Sequence, residues 1–417
     1  MRAELLIIGS ELTSGEKLDT NGQWLCTRLA ELGVPVRFTT VIGDDLDDNI
    51  DAFKAASGRS DLVVSSGGLG PTQDDLTRDA LAKAGGVGMV QDDEALRMIE
   101  ALFARRDRPM PDRNRTQALI PEGSEILHNP TGTAPGIWMR LDRAWVACLP
   151  GVPRELKAMF DAELAPRLRA SGLAGRVVLG RTINLFGLGE SEAEQRAPDL
   201  TARGRIPEVG ITASDATISF RIRAEGADEA EALALIGPTA EAIYERFGDF
   251  VVGEGTDDVA EGLVAALKST GKTIALAESC TGGLIAHRIT RVDGVSPHFP
   301  GGVVSYANGV KSTLLDVPAD LIASKGAVSP EVAEAMAEGA RRRLGADLGL
   351  AVTGVAGPAG GTPEKPVGLV YLGLADASGT RHRRLALGPE QPRAVIQSRA
   401  SKHAMNWARL ALLGKLP

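Results

Sequence analysis

The chain has 417 residues, 43% of them hydrophobic and 24% charged, which is too long for one ordinary core and too apolar for a disordered polymer. A formal charge of −8 argues against general attraction to nucleic acid, and no apolar run reaches membrane-spanning length. Three scattered cysteines (Cys26, Cys148, Cys280) offer no disulfide framework, and five unclustered histidines argue against zinc.

In chain order, the first segment alternates strand-length apolar runs with helical patterns. Glu4–Ile8 precedes a helix near 22–32, in which Trp24, Leu25, Leu29 and Leu32 share a face. Val36–Ile42 precedes a helix over 47–56, and Asp61–Ser66 runs into Gly67-Gly68-Leu69-Gly70-Pro71-Thr72-Gln73-Asp74-Asp75. This β-α-β-α-β order predicts a doubly wound, mostly parallel sheet. Ile137–Leu141 and Trp145–Leu149 read as a hairpin, followed by a helix from Arg154, with the domain ending near Ala170. Met1 leads straight into the first strand pattern, so no signal peptide is expected and a cytoplasmic location fits.

The Gly67–Asp75 loop is neither a P-loop nor a dinucleotide fingerprint. Gly67, Gly68, Gly70 and Thr72 offer close backbone approach to a phosphate. Asp74 and Asp75, with Glu11, Asp19 and Asp44 after the first two strands, are hard oxygen ligands for a divalent metal. Such a group suits cleavage of a diphosphate. Alternatively, Asp74 and Asp75 only cap the following helix, and Asp44-Asp45 is a polar turn.

Between 173 and 253 the texture changes. Val177–Phe186, Val209–Ala213 and 216–223 read as strands, with helices over 190–200 and 228–247, a small α+β module. Glu254-Gly255-Thr256 reads as a linker.

The third segment, from Asp257, carries the sharpest chemistry. The run Thr273–Ala277 enters Glu278-Ser279-Cys280-Thr281-Gly282-Gly283, a strand-to-helix turn that exposes a small nucleophile among free backbone N–H groups. Two further patches follow, Val303–Lys311 and Leu350–Pro358. With no histidine in any of the three, a Ser279 nucleophile with a Lys311 base is the better fit. Lysine serves as a base only where its neutral form is favoured. Tyr306 is placed to orient it or relay a proton. Glu278 is ambiguous, because near Lys311 it would raise the lysine pKa. Cys280 ranks below Ser279 for want of an activating partner.

These motifs resemble the CinA (competence/damage-inducible protein A) family over nearly the whole chain. The segment from Asp257 resembles its C-terminal domain. Gly9–Gly15, Asp19-Thr20-Asn21 and Gly67–Thr77 resemble its molybdopterin-binding-like domain. The resemblance implies an α/β chain of three parts: 1–172, a KH-like connector over 173–253, and 257–417. Gly187-Leu188-Gly189-Glu190 departs from the GxxG loop of RNA-binding KH modules, so a connector or dimer element is expected.

The implied activities are hydrolysis of nicotinamide mononucleotide (NMN) to nicotinate mononucleotide and ammonia, without a cofactor, and metal-dependent cleavage of ADP-ribose by the first domain. Ser279, Tyr306, Lys311 and Thr353 match functional positions. Thr281, Gly282, Gly283, Gly354, Gly357 and Arg393 are expected to bind phosphate, ribose or amide, with Ser296 a lesser candidate. Loops 129–136 and 149–153 are expected to line the first pocket. A homodimer is expected, with no membrane and no direct nucleic-acid contact. The competing readings are a pterin- or nucleotide-binding protein, or a competence or DNA-damage adaptor with protein partners.

Overall fold

The computed structural model describes residues 2–172, 176–255 and 258–416. The expected breaks after 172 and at Thr256-Asp257 thus fall at or within segments outside the described residues. The chain divides into two compact units, Met1–Leu179 with Ala224–Ala234, and Gly180–Arg223 with Leu235–Pro417.

In the first unit, β1 (Ala3–Ile8), β2 (Val36–Ile42) and β3 (Leu62–Ser66) precede the short pair β4 (Met89–Gln91) and β5 (Leu119–Pro121). They are followed by β6 (Glu125–Leu127), β7 (Gly136–Leu141) and β8 (Ala144–Leu149). The main sheet has the order β2-β1-β3-β8-β7-β6. Its four left-hand strands are parallel, and the β7–β8 hairpin adds an antiparallel edge. Every residue of β1 is buried, and its side chains alternate between two cores. Leu6 and Ile8 join one, while Ala3, Leu5 and Ile7 join the other, which explains why Leu5–Ile8 reads as a continuous apolar run.

The α+β middle is a four-stranded sheet made of β9 (Val177–Phe186), β10 (Glu208–Ser214), β11 (Thr217–Gly226) and β12 (Val251–Glu254), ordered β10-β11-β9-β12. Its first helix ends at Arg196, short of the expected 200, because Pro198 disfavours helical backbone at the residue before it.

The third sheet runs β14-β13-β15-β16-β17. Its strands are β13 (Ile274–Glu278), β14 (Gly301–Val304), β15 (Leu348–Gly354), β16 (Leu369–Asp376) and β17 (Gly379–Ala386). The first three are mutually parallel and the last two antiparallel. Alternation again sorts the faces. Ile274 and Leu276 pack with the helices Ala260–Thr270, Leu284–Thr290 and Arg393–Leu412, while Ala275 and Ala277 face Pro330–Leu344. The second face is built of small residues, so this helix lies very close to the sheet. A Cβ on Gly373 would fall 2.0 Å from the Ala333 carbonyl oxygen, and one on Gly349 2.0 Å from that of Ala337.

Both obstacles are backbone atoms that cannot swing away. Gly373→Ala is therefore expected to destabilise the second unit by about 1–3 kcal/mol, read as a lower midpoint in urea denaturation.

Candidate active site

Ser279 follows β13 immediately, and its N–H donates to the Val352 carbonyl of β15 at 2.9 Å. The turn after it is held by an unusual cap. The Glu278 carboxylate, 2% exposed, accepts from the N–H groups of Gly283, Ile285 and Ala286 at 3.0, 3.1 and 2.9 Å. It thereby fills the N-terminus of the Leu284–Thr290 helix. This settles the role left open for Glu278 and corrects the expected anion site there. The Gly283 amide is taken by Glu278, and that of Gly282 by the Ser279 carbonyl at 3.1 Å. Among the described residues, the N–H groups of Cys280 and Thr281 donate to no backbone oxygen. The buried Thr281 hydroxyl has no hydrogen-bond partner among the described residues.

Lys311 stands in the first turn of the Asn308–Leu315 helix, which follows β14 after that strand ends at Val304. It is 1% exposed. Its Nζ lies 3.2 Å from Ser279 Oγ and donates to the carbonyls of Ser305 at 2.6 Å and Tyr306 at 3.4 Å. Among the described residues no carboxylate pairs with it. Burial pushes the Lys311 amine below the ordinary lysine range, only partly opposed by Cys280. The same burial pushes the Cys280 thiol up to about 12, so that sulfur stays protonated.

The Tyr306 phenol points elsewhere than expected. It accepts from Arg393 at 2.9 Å, and only the Tyr306 backbone reaches Lys311. Arg393, first residue of the Arg393–Leu412 helix, also donates to the Gly357 carbonyl at 2.7 Å, joining two of the predicted loops. Thr353 is 1% exposed, and its hydroxyl donates to the Ala327 carbonyl at 2.8 Å. Gly354 ends β15, packed against Leu369 and Val370 of β16.

Ser296 is not brought to this centre. It is exposed in a short turn before β14, where His298 contacts the Lys272 carbonyl that precedes β13. Since β13 and β14 are parallel, that turn lies at the opposite strand end from Ser279. Gln397, which no sequence motif singles out, donates to the Cys280 carbonyl at 2.8 Å. No local pattern marks it, as it comes from a helix 117 residues away.

In the first unit, Gly67, Gly68, Gly70, Asp74, Asp75, Glu11 and Asp44 line one cleft of about 570 Å³, with Lys17, Gly151 and Glu155. Position 67 has no room for a side chain. At φ 111°, a Cβ would sit 2.2 Å from the Ile8 carbonyl oxygen. Asp75 does not cap the following helix, contrary to the alternative reading. It accepts from the N–H groups of Gly70 at 2.7 Å and Thr72 at 2.9 Å, and from the Thr72 hydroxyl. Buried Arg78, likewise outside the sequence motifs, donates to the Leu69 and Gly70 carbonyls and fixes the other side of the loop.

The acidic set expected to bind metal is dispersed among other tasks. Asp19 caps the Thr20–Glu31 helix, Asp44 bonds the Ser10 N–H, and Glu11 faces Lys17 at 3.6 Å. Among the described residues no three His, Cys, Asp or Glu side chains form a metal-ligand group. These residues do not fit a resident metal.

Three segments match described families in order. Residues 4–170 match "Probable molybdopterin binding domain", 180–253 match "Damage-inducible protein CinA KH domain", and 256–412 match "CinA C-terminal domain". A CinA-like protein of Anaeromyxobacter sp. is 43% identical over 421 residues, covering 99% of both chains. A CinA-like protein of Dictyoglomus thermophilum is 40% identical over 413 residues, covering 99% of this chain and all of the relative. Among solved structures, the protein CinA of Thermoplasma acidophilum is 37% identical, covering 40% of this chain and 96% of that one, with a TM-score of 0.37. The chain belongs to the CinA family, as a competence/damage-inducible type of protein with a molybdopterin-binding-like first domain. Among the described residues, no helix is long and apolar enough to cross a membrane.

The Glu278 cap yields a direct expectation. Glu278→Gln replaces one carboxylate oxygen by an NH2 group facing backbone donors. It should destabilise the second unit by about 1–3 kcal/mol, seen as a lower thermal midpoint, with Ser279 reactivity reduced as the turn loosens.

Proposed function

We propose that the Ser279 centre is a carboxamide hydrolase acting on NMN. The observation that carries this reading is the buried Lys311 amine, 3.2 Å from the Ser279 hydroxyl and unpaired with any carboxylate among the described residues. Desolvation without a counter-ion favours the neutral amine, which is the form able to accept a proton.

In the proposed sequence, Ser279 Oγ attacks the carboxamide carbon while its proton passes to Lys311 Nζ. The developing oxyanion takes hydrogen bonds from the available Cys280 and Thr281 N–H groups. Collapse of the tetrahedral adduct breaks the C–N bond, and the Lys311 ammonium returns the proton to the departing ammonia. Lys311 then deprotonates a water that attacks the Ser279 ester, releasing nicotinate mononucleotide and restoring the hydroxyl. Arg393, exposed at the helix start and shared with Tyr306 and Gly357, supplies the cation for the substrate phosphate. Thr353 ties the Ala327 carbonyl to the end of β15.

The test is ammonia release from NMN by purified protein. Ser279→Ala should lose at least about a thousandfold while keeping its circular dichroism spectrum. Near-wild-type turnover in that variant removes Ser279 as nucleophile and leaves a binding protein or adaptor as the better reading.

The pH dependence has a definite sign. The active amine is neutral and its pKa is lowered, so kcat/KM falls as pH drops through that lowered value and levels off above it. Lys311→Arg should be nearly inactive across the range, since guanidinium does not deprotonate. Substantial activity in Lys311→Arg reduces Lys311 to an electrostatic role.

A second reading concerns the first unit. We propose that its cleft binds a nucleotide diphosphate, with ADP-ribose the candidate, on the strength of the Gly67–Thr72 loop held open by Asp75 and Arg78. Because no metal-ligand group forms among the described residues, this reading has any divalent cation rely largely on ligand oxygens. Calorimetric titration with ADP-ribose, with and without added divalent metals, should show binding that Asp75→Ala weakens. Unchanged affinity in that variant dismisses the loop as the phosphate cradle.

A further inference from the structure

The Arg393–Leu412 helix meets the catalytic loops through Arg393 and Gln397, one turn apart. Ser398 and Lys402, also one turn apart, point to a different partner: the tip of the β10–β11 hairpin in the KH-like module. There the Asp215 carboxylate accepts from the Ser398 hydroxyl and pairs with Lys402 Nζ at 3.2 Å. Lys402, 3% exposed at its side chain, also donates to the Asp215 carbonyl at 3.1 Å and the Thr217 hydroxyl at 3.0 Å.

A third strut closes the arrangement. Arg288 belongs to the Leu284–Thr290 helix that the Ser279 turn leads into. It donates to the Ser401 hydroxyl at 2.9 Å, the Ser398 carbonyl at 3.3 Å and the Ser398 hydroxyl at 2.5 Å, and it lies 3.6 Å from Asp215. One hairpin carboxylate thus touches both helices that frame the nucleophile turn.

The hairpin tip is itself constrained. Asp215 and Ala216 both adopt left-handed backbone, at φ 46° and 61°. For alanine that conformation is costly, and it persists where surrounding contacts over-determine it.

We infer that Asp215 is a positioning residue for the Ser279 centre, holding the start of the Arg393–Leu412 helix so that Gln397 and Arg393 fix the nucleophile turn and the Tyr306 and Gly357 loops. The KH-like module then completes the hydrolase. The inference takes its substrate from the amidase reading. Its mechanical content, that Asp215 sets the poise of Ser279, is independent of which amide is cleaved.

The experiment uses the full chain with Asp215→Asn and Ser398→Ala. Asparagine tolerates left-handed backbone and keeps the size of the side chain, so it removes the charge while sparing the turn. Ser398→Ala breaks the same contact from the helix side. Two readouts are taken: kcat and KM for ammonia release from NMN, and the rate of Ser279 phosphonylation by a fluorophosphonate, with Ser279→Ala as the blank.

Both variants should lower kcat and phosphonylation together by roughly tenfold to a hundredfold, the scale of a small misplacement of reacting groups. KM should rise by a smaller factor than kcat falls, since Arg393 stays within reach of the substrate phosphate while the reacting groups lose alignment. Folded variants with wild-type kcat and wild-type phosphonylation overturn the inference, as does a change confined to KM. If Asp215→Asn does not fold, Ser398→Ala decides. If the wild type is phosphonylated but releases no ammonia from NMN, the amidase reading fails and the phosphonylation rates still judge Asp215. If it does neither, both readings fall.

Discussion

A lysine amine buried beside a serine hydroxyl, with no carboxylate to neutralise it among the described residues, is the constraint on which the second unit turns. A charged ammonium in that position would be desolvated with hydrogen-bond acceptors but no counter-ion, which shifts the balance toward the neutral amine. The carbonyls of Ser305 and Tyr306 orient the amine without supplying the full charge that would lock its proton in place. Glu278, the nearest acid in sequence to Ser279, is kept occupied by three backbone donors of the following helix. The cap therefore serves twice, ordering the Ser279 turn and committing a carboxylate that would otherwise favour the charged form of Lys311.

The surrounding sheet makes this geometry affordable in space. β13 and β15 are parallel neighbours, so the Ser279 turn and the Thr353–Gly357 turn leave the same edge. Lys311 enters from the helix after β14, whose pairing with β13 brings Ser305 N–H to the Glu278 carbonyl at 2.8 Å. Small residues on the opposite face let the Pro330–Leu344 helix seat closely, which fixes the strand ends that carry the loops. The Arg393–Leu412 helix supplies the last wall.

Much of the fold is legible in the sequence because its strands are short, apolar and bounded by glycine turns. Val36–Ile42 and Val177–Phe186 begin and end where the pattern does, and the mixed α/β class follows from the alternation of elements. The placement of Ser279 at a strand-to-helix turn is likewise local information. What escapes is long-range. The Glu278 cap is invisible to motif reasoning, because a carboxylate beside a lysine patch reads equally as partner or bystander. Ser296 lies in a loop of the right composition at the wrong strand end, a distinction that only the parallel pairing of β13 and β14 reveals. The Asp215–Lys402 contact spans 187 residues, and nothing near either residue announces it. Of the acidic residues of the first unit, Asp19, Asp44 and Asp75 answer to nearer N–H groups and Glu11 to Lys17 before they can join a metal-ligand group.

The protonation state of Lys311 tests the account most directly. Titration of the Lys311 amine by NMR in selectively labelled protein, assigned with Lys311→Arg, reports it without reference to any substrate. The account predicts a pKa clearly below the ordinary lysine range, coinciding with the acid limb of kcat/KM for ammonia release. A Lys311 that titrates as an ordinary exposed lysine would contradict it.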